Sequence, residues 1–180
     1  MAVLPAAQIG DLVAAHCRDI ADFPTPGVVF KDITPLLADA TAFARVIDYL
    51  ADATARSGAE LVVGIEARGF ILAAPAALQA GVGFVPLRKP GKLPGVTLRE
   101  SYALEYGEAA LEMHEDAIRP GTRVMIMDDV LATGGTAAAG ADLLERAGGQ
   151  IVGMAFLIEL GFLGGRTKLA GRDLTCLLSI

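Results

Sequence analysis

The chain has 180 residues, 53% of them apolar and 20% charged, with 15 Lys+Arg against 21 Asp+Glu and a formal net charge of -6. A chain of this length removes roughly 70% of its unfolded surface from water, so a single domain over 1–180 with a sizeable core is expected and disorder is excluded as the main state. The acidic balance and the lack of a basic run exclude nucleic acid as a main partner; a phosphate ligand would need local binding by backbone N–H groups and a few placed cations.

In chain order, Ile9, Leu12, Val13, His16 and Ile20 follow helical spacing, as do Phe43, Val46, Ile47 and Leu50, where Asp39 or Thr41 is placed to cap the start. The first of these patterns, with no Lys or Arg before Arg18, does not read as a signal peptide. Between the two helices, 22–35 sets prolines and a glycine around Val28, Val29 and Phe30, which reads as turn, short strand, turn. Leu61 to Ile65, Phe84 to Leu87 and Val124 to Met127 are nearly all-apolar runs, each followed by a glycine-containing turn, and helix-like segments follow the first and third. With further strands at Ile151 to Ile158 and Thr175 to Ile180, the pattern is α/β, a mainly parallel sheet with helices on both faces. The uncharged stretch 69–87 is broken by Pro75, Gly81, Gly83 and Pro86 and does not read as a membrane span. Cys17 and Cys176, isolated from each other and from histidine, read as reduced thiols of a cytoplasmic protein. Segment 88–108, with Arg88, Lys89, Lys92, Arg99 and Tyr102 among glycines and prolines, reads as an exposed, mobile excursion from the sheet.

The chemistry concentrates in Val124 to Thr136, where a strand runs into Asp128 and Asp129, then Ala132-Thr-Gly-Gly-Thr136, then an Ala-rich helix. Ligands of open α/β sheets bind at the carboxyl ends of strands, so two carboxylates and a Gly-Gly loop stand at such an end. Backbone N–H groups and hydroxyls of Thr133 to Thr136 suit an anion at a helix N-terminus, and the carboxylates suit sugar hydroxyls, a bound metal, or both beside it. A sugar phosphate fits both; the bland alternative makes the aspartates ordinary turn residues. Neither a Walker-type loop, a G-x-G-x-x-G following a strand, nor a G-x-S-x-G elbow is present. His16 and His114 have no ligand spacing.

This stretch resembles the phosphoribosyl-pyrophosphate (PRPP) motif of type I phosphoribosyltransferases. Phe23 to Thr34, Gly64 to Phe70, Leu87 to Gly95, Tyr102 to Gly107 and Ile158-Glu-Leu are similar, in the same order, to segments of the adenine phosphoribosyltransferase family. The resemblance covers nearly the whole chain. It implies the type I phosphoribosyltransferase fold with a small hood near 22–35 and a flexible catalytic loop near 88–108. It also implies Mg2+-dependent transfer of 5-phosphoribosyl from PRPP to N9 of adenine, giving AMP and pyrophosphate in purine salvage, by a homodimer without nucleic-acid or membrane partners.

Carried residue by residue, the resemblance makes Ala132, Thr133, Gly134, Gly135 and Thr136 the 5-phosphate cradle and gives Asp128 and Asp129 the ribose hydroxyls. Ala67 and Arg68 belong to the pyrophosphate loop, with a non-proline cis peptide expected between them. Arg88, Lys89 and Lys92 would bring charge to the pyrophosphate, Arg88 by reaching across a dimer interface, and Tyr106 lies in the same loop. Glu105 would assist proton transfer from the base, with Arg68 as the other catalytic residue. Val29, Phe30, Lys31 and Val130 would hold adenine. Lys31 stands where many relatives have Arg, so a planar bidentate contact is not implied there. Mg2+ would be held mainly through PRPP, with no dedicated set of protein ligands. The rival readings are a 6-oxopurine phosphoribosyltransferase, opposed by the Asp-Asp pair where those enzymes generally show Glu-Asp, and a non-catalytic PRPP or purine sensor, opposed by the lack of any DNA-binding segment.

Overall fold

The computed structural model describes residues 3–103 and 108–180. Its elements run α1 (Ala6–His16), β1 (Arg18–Ile20), β2 (Phe30–Asp32), α2 (Thr34–Ala38), α3 (Ala40–Ser57), β3 (Leu61–Ile65), α4 (Gly69–Ala80), β4 (Gly83–Leu87), β5 (Thr97–Ala103), β6 (Glu108–His114), β7 (Arg123–Leu131), α5 (Gly135–Arg146), β8 (Gln150–Glu159), α6 (Gly165–Lys168) and β9 (Leu174–Ser179). A five-stranded sheet in the order β4-β3-β7-β8-β9 is parallel throughout.

Strand alternation divides the core. Val62, Met125 and Met127 point to the layer of α1, α3 and α4, packing with Ile9, Val46, Leu50 and Leu72. Val63, Ile65, Val124 and Ile126 point the other way, to Leu143 and Leu144 of α5 and to Leu111 and Met113 of β6. Burial on both faces explains why these strands read as unbroken apolar runs. Asp39 caps α3, its carboxylate accepting the N–H groups of Thr41 and Ala42, both at 2.9 Å.

Three local readings are corrected. Ile20 is not helical: α1 stops at His16, and the next residues form β1, antiparallel to β2, with Arg18 opposite Asp32 and Asp19 opposite Lys31. These opposite charges favour the extended pairing. For the same reason the short strand falls at Phe30–Asp32, leaving Val28 and Val29 outside it. Finally, 88–108 is not wholly an irregular excursion, since β5 pairs antiparallel with β6 from Thr97↔His114 to Ala103↔Glu108. No helix among the described residues is long and apolar enough to cross a membrane, and 69–87 divides into α4, a left-handed turn at Gly81, and β4.

Candidate active site

Adjacent strands β3 and β7 deliver the two halves of the site at their carboxyl ends. A cavity of about 620 Å3 opens there, within the range of small-molecule sites. Its walls bring together Val29, Phe30 and Lys31 from the hood, Ala67 and Arg68 from the loop after β3, and Lys89. Asp128, Asp129, Val130, Ala132 and Thr136 complete them from β7 and its loop. Thr133, Gly134 and Gly135 line a smaller cleft of about 70 Å3 that shares Asp128, Val130, Ala132 and Thr136 with the cavity.

This smaller cleft sits over the start of α5. Gly134 adopts φ 78°, and no side chain among the described residues caps the helix, so its first N–H groups are available to an anion. Thr136 Oγ1 donates to the Tyr102 hydroxyl at 3.2 Å, linking the Gly-Gly loop to strand β5.

The acidic pair lies within β7, which continues to Leu131, rather than beyond its end. Asp129 is 5% exposed, and its carboxylate accepts a short hydrogen bond from Arg68 Nε. Asp128 turns one oxygen onto the Asp129 N–H at 2.9 Å. Burial, then the neighbouring Asp129 charge, pushes the Asp128 carboxyl well above the ordinary range, with Arg68 acting in the opposite sense. The pair is thus short of positive charge.

Arg68 also lies over the Phe30 ring, 5.1 Å from its centroid, and Phe23 meets Phe30 edge-on at 5.1 Å. The guanidinium therefore connects the hood to the acidic pair. The hood is pinned by Asp32, which accepts from the Thr34 hydroxyl and N–H and from Arg18. Those contacts, the Thr34 hydroxyl first, hold its carboxyl at about 2. Lys31 Nζ is paired with Asp19 at 2.6 Å.

The cis peptide expected at Ala67–Arg68 is instead Glu66–Ala67. Glu66, just past β3, still bonds to β4, its N–H donating to Leu87 O at 2.9 Å, whereas Arg68 is the N-cap of α4 and its carbonyl accepts from Ile71 N. The reversal therefore falls one residue earlier. Sequence reading assigned Glu66 no role, yet its carboxylate accepts Lys89 N–H at 2.8 Å and Arg88 Nη2 at 3.2 Å. Burial works against the charge, but these donors outweigh it and the Glu66 carboxyl lies below its usual range.

Arg88 and Lys92 do not line the cavity: Arg88 is held by Glu66, and Lys92 contributes its carbonyl to Arg88 Nη1 at 3.1 Å. Glu105 and Tyr106 lie outside the described residues. Leu160, on the cavity wall, was missed because a lone leucine after a strand carries no chemical signal.

A parallel α/β sheet with two aspartates near the end of one strand and a Gly-Gly loop at the following helix start agrees with the family comparison, in which the phosphoribosyl transferase domain family matches residues 36–172. The adenine phosphoribosyltransferase of Streptomyces coelicolor is 58% identical over 176 residues, covering 96% of this chain and 97% of that protein. The crystal structure of adenine phosphoribosyltransferase from Thermoanaerobacter pseudethanolicus superposes with a TM-score of 0.91 at 50% identity, covering 94% of this chain and 99% of that one. The Saccharomyces cerevisiae enzyme, complexed with an imino-altritol bisphosphate and adenine, gives 0.89 at 36% identity, with 96% and 99% covered. The chain belongs to the adenine phosphoribosyltransferase family.

Proposed function

We propose that this chain transfers the 5-phosphoribosyl group of PRPP to N9 of adenine, releasing pyrophosphate, and that it uses the residues of the 620 Å3 cavity to do so. One observation carries the assignment of roles: the hood, the Arg68 loop, the acidic pair and the cradle all border this one cavity or the cleft that adjoins it. A yeast relative that holds a sugar bisphosphate analogue together with adenine supports this division of the site.

In this reading the N–H groups and hydroxyls of 133–136 bind the 5-phosphate, and Asp128 and Asp129 accept from the ribose hydroxyls. Phe30 covers one face of adenine and Val130 the other, with backbone groups near Val29 at its amino edge. Leaving of pyrophosphate develops positive charge at ribose C1 and negative charge on the departing oxygens, where Arg68 and Lys89 lie. Glu105, which lies between β5 and β6 in sequence, accepts the N9 proton.

The donor set suits Mg2+, a hard cation that takes carboxylate and phosphate oxygens. Two carboxylates face the cavity, and the raised Asp128 carboxyl is the response of a pair that added positive charge would relieve. Asp128 and Asp129 would hold the ion through the sugar hydroxyls, with the pyrophosphate as its main anchor. When bound, Mg2+ neutralises charge on the leaving group. We further propose a cytoplasmic homodimer in which Arg88 serves the partner's site.

The test is incubation with PRPP and Mg2+ and with adenine, hypoxanthine or guanine in turn, quantifying nucleotide and pyrophosphate. AMP from adenine alone is expected. IMP or GMP would overturn the base assignment, and absence of any nucleotide would overturn the enzymatic reading.

A further inference from the structure

The turn after β8, 160–169, has no part in the mechanism above, yet it touches the phosphate cradle backbone to backbone. A Cβ on Gly165 would lie 2.1 Å from Ala132 O and 2.9 Å from Gly134 N. Reciprocally, a Cβ on Gly134 would lie 2.6 Å from Gly165 O. Contact this close admits no side chain on either strand of the contact, so the turn acts as a wall that fixes the path of the cradle.

The wall has its own anchor. Glu159, 7% exposed at the end of β8, receives Arg166 Nε at 2.9 Å, Arg166 Nη2 at 2.7 Å and Ser179 Oγ at 3.0 Å. The guanidinium forks onto both carboxylate oxygens, a planar geometry that Lys cannot reproduce. Arg166 follows Gly165 directly, so the fork fixes the residue that abuts the cradle. Strand β8 is itself tied to the strand that bears the cradle, Leu160 N donating to Leu131 O at 2.9 Å.

We propose that Glu159 and Arg166 are positioning residues for the 5-phosphate: through Gly165 they hold the backbone of 132–134 so that the cradle's N–H groups converge on one anion. Neither side chain lines the cavity or the cleft, so the effect is indirect and specific to the phosphate end of the substrate. Adenine and pyrophosphate, bound by the hood and by the Arg68 loop, are outside its reach.

This inference rests on the cradle being the 5-phosphate site, and the experiment separates the two ideas. Affinities for ribose 5-phosphate, pyrophosphate and adenine are measured by calorimetry for the wild type and for Arg166→Ala, Arg166→Lys, Glu159→Gln and Gly165→Ala, alongside thermal unfolding. Arg166 is half exposed, and thermal unfolding separates a loss of affinity in a folded variant from a failure to fold. Arg166→Ala is expected to weaken ribose 5-phosphate by about tenfold while pyrophosphate and adenine stay within about twofold. Arg166→Lys should recover only part of the loss, and Gly165→Ala should lose at least as much as Arg166→Ala. Equal weakening of all three ligands, or no change in ribose 5-phosphate affinity in a folded variant, overturns the proposal. Wild-type protein that binds none of the sugar phosphate at the cradle overturns the functional reading as well.

Discussion

Asp128→Asn tests the central electrostatic claim, because stability and function should move in opposite directions. Asparagine keeps an oxygen for the Asp129 N–H but cannot ionise, so the cost of burying a charge and, after it, the repulsion with Asp129 disappear. The folded state raises the Asp128 pKa, so its contribution to stability is intact below the ordinary carboxylate value of about 3.9 and is lost as pH rises through the raised value. The variant should therefore match the wild type in acid and exceed it progressively as pH rises towards neutrality, levelling off once Asp128 has ionised. Relief of a single buried site is worth about 0.5–2 kcal/mol, which for this chain length is about 1–8 °C in Tm. Binding should move the other way, since losing a hydrogen bond to a charged group costs about 1.5–3 kcal/mol, or about 10- to 150-fold in PRPP affinity. Thermal unfolding at several pH values, without ligand, and PRPP titration read both effects. A gap in Tm that does not grow with pH, or a variant less stable than the wild type at neutral pH, would refute the reasoning.

Glu105→Gln should lower the single-turnover rate by about 10²- to 10⁴-fold while PRPP affinity holds, and equal rates would remove Glu105 from proton transfer. Phe30→Ala deletes the ring that Arg68 and Phe23 pack against, so adenine KM should rise about 2- to 12-fold with PRPP KM little changed; steady-state kinetics with each substrate varied decide this. Asp32→Ala unpins the hood and should raise adenine KM by no more than about fivefold. Because the Asp32 pKa is lowered, to about 2, its contribution is present above the ordinary carboxylate value and lost only as pH falls through about 2. The ratio of variant to wild-type KM should thus be flat across neutral pH, and a slope there would count against the assignment.

The sheet was legible because strands buried on both faces carry unbroken apolar runs, as in Leu61–Ile65 and Val124–Met127. The cradle was legible because Gly134 and Gly135 between threonines, directly after two aspartates, combine a backbone requirement with a charge pattern. The hairpin was not: β5 alternates half-buried and exposed residues and includes Arg99, Glu100 and Ser101, so it shows little apolar signal. Strand β1 is exposed at all three residues and is defined by its partner. Glu66 and Arg88, like Glu159 and Arg166, meet through the fold, and no local pattern marks such pairs.

Among the described residues the two-stranded ribbon β1–β2 forms no ladder with the main sheet, and in the proposed reading it supplies one wall of the adenine site, while the sugar-phosphate contacts issue from β3 and β7. In that reading, selectivity for the base is therefore written partly outside the sheet, with Val130 of β7 the base contact that the ribosyl-transfer framework shares. Substitutions within 18–32 would then revise the Phe30 side of the base site while β3 and β7 stay unchanged, which makes the ribbon an exchangeable adaptor and the sheet a fixed engine.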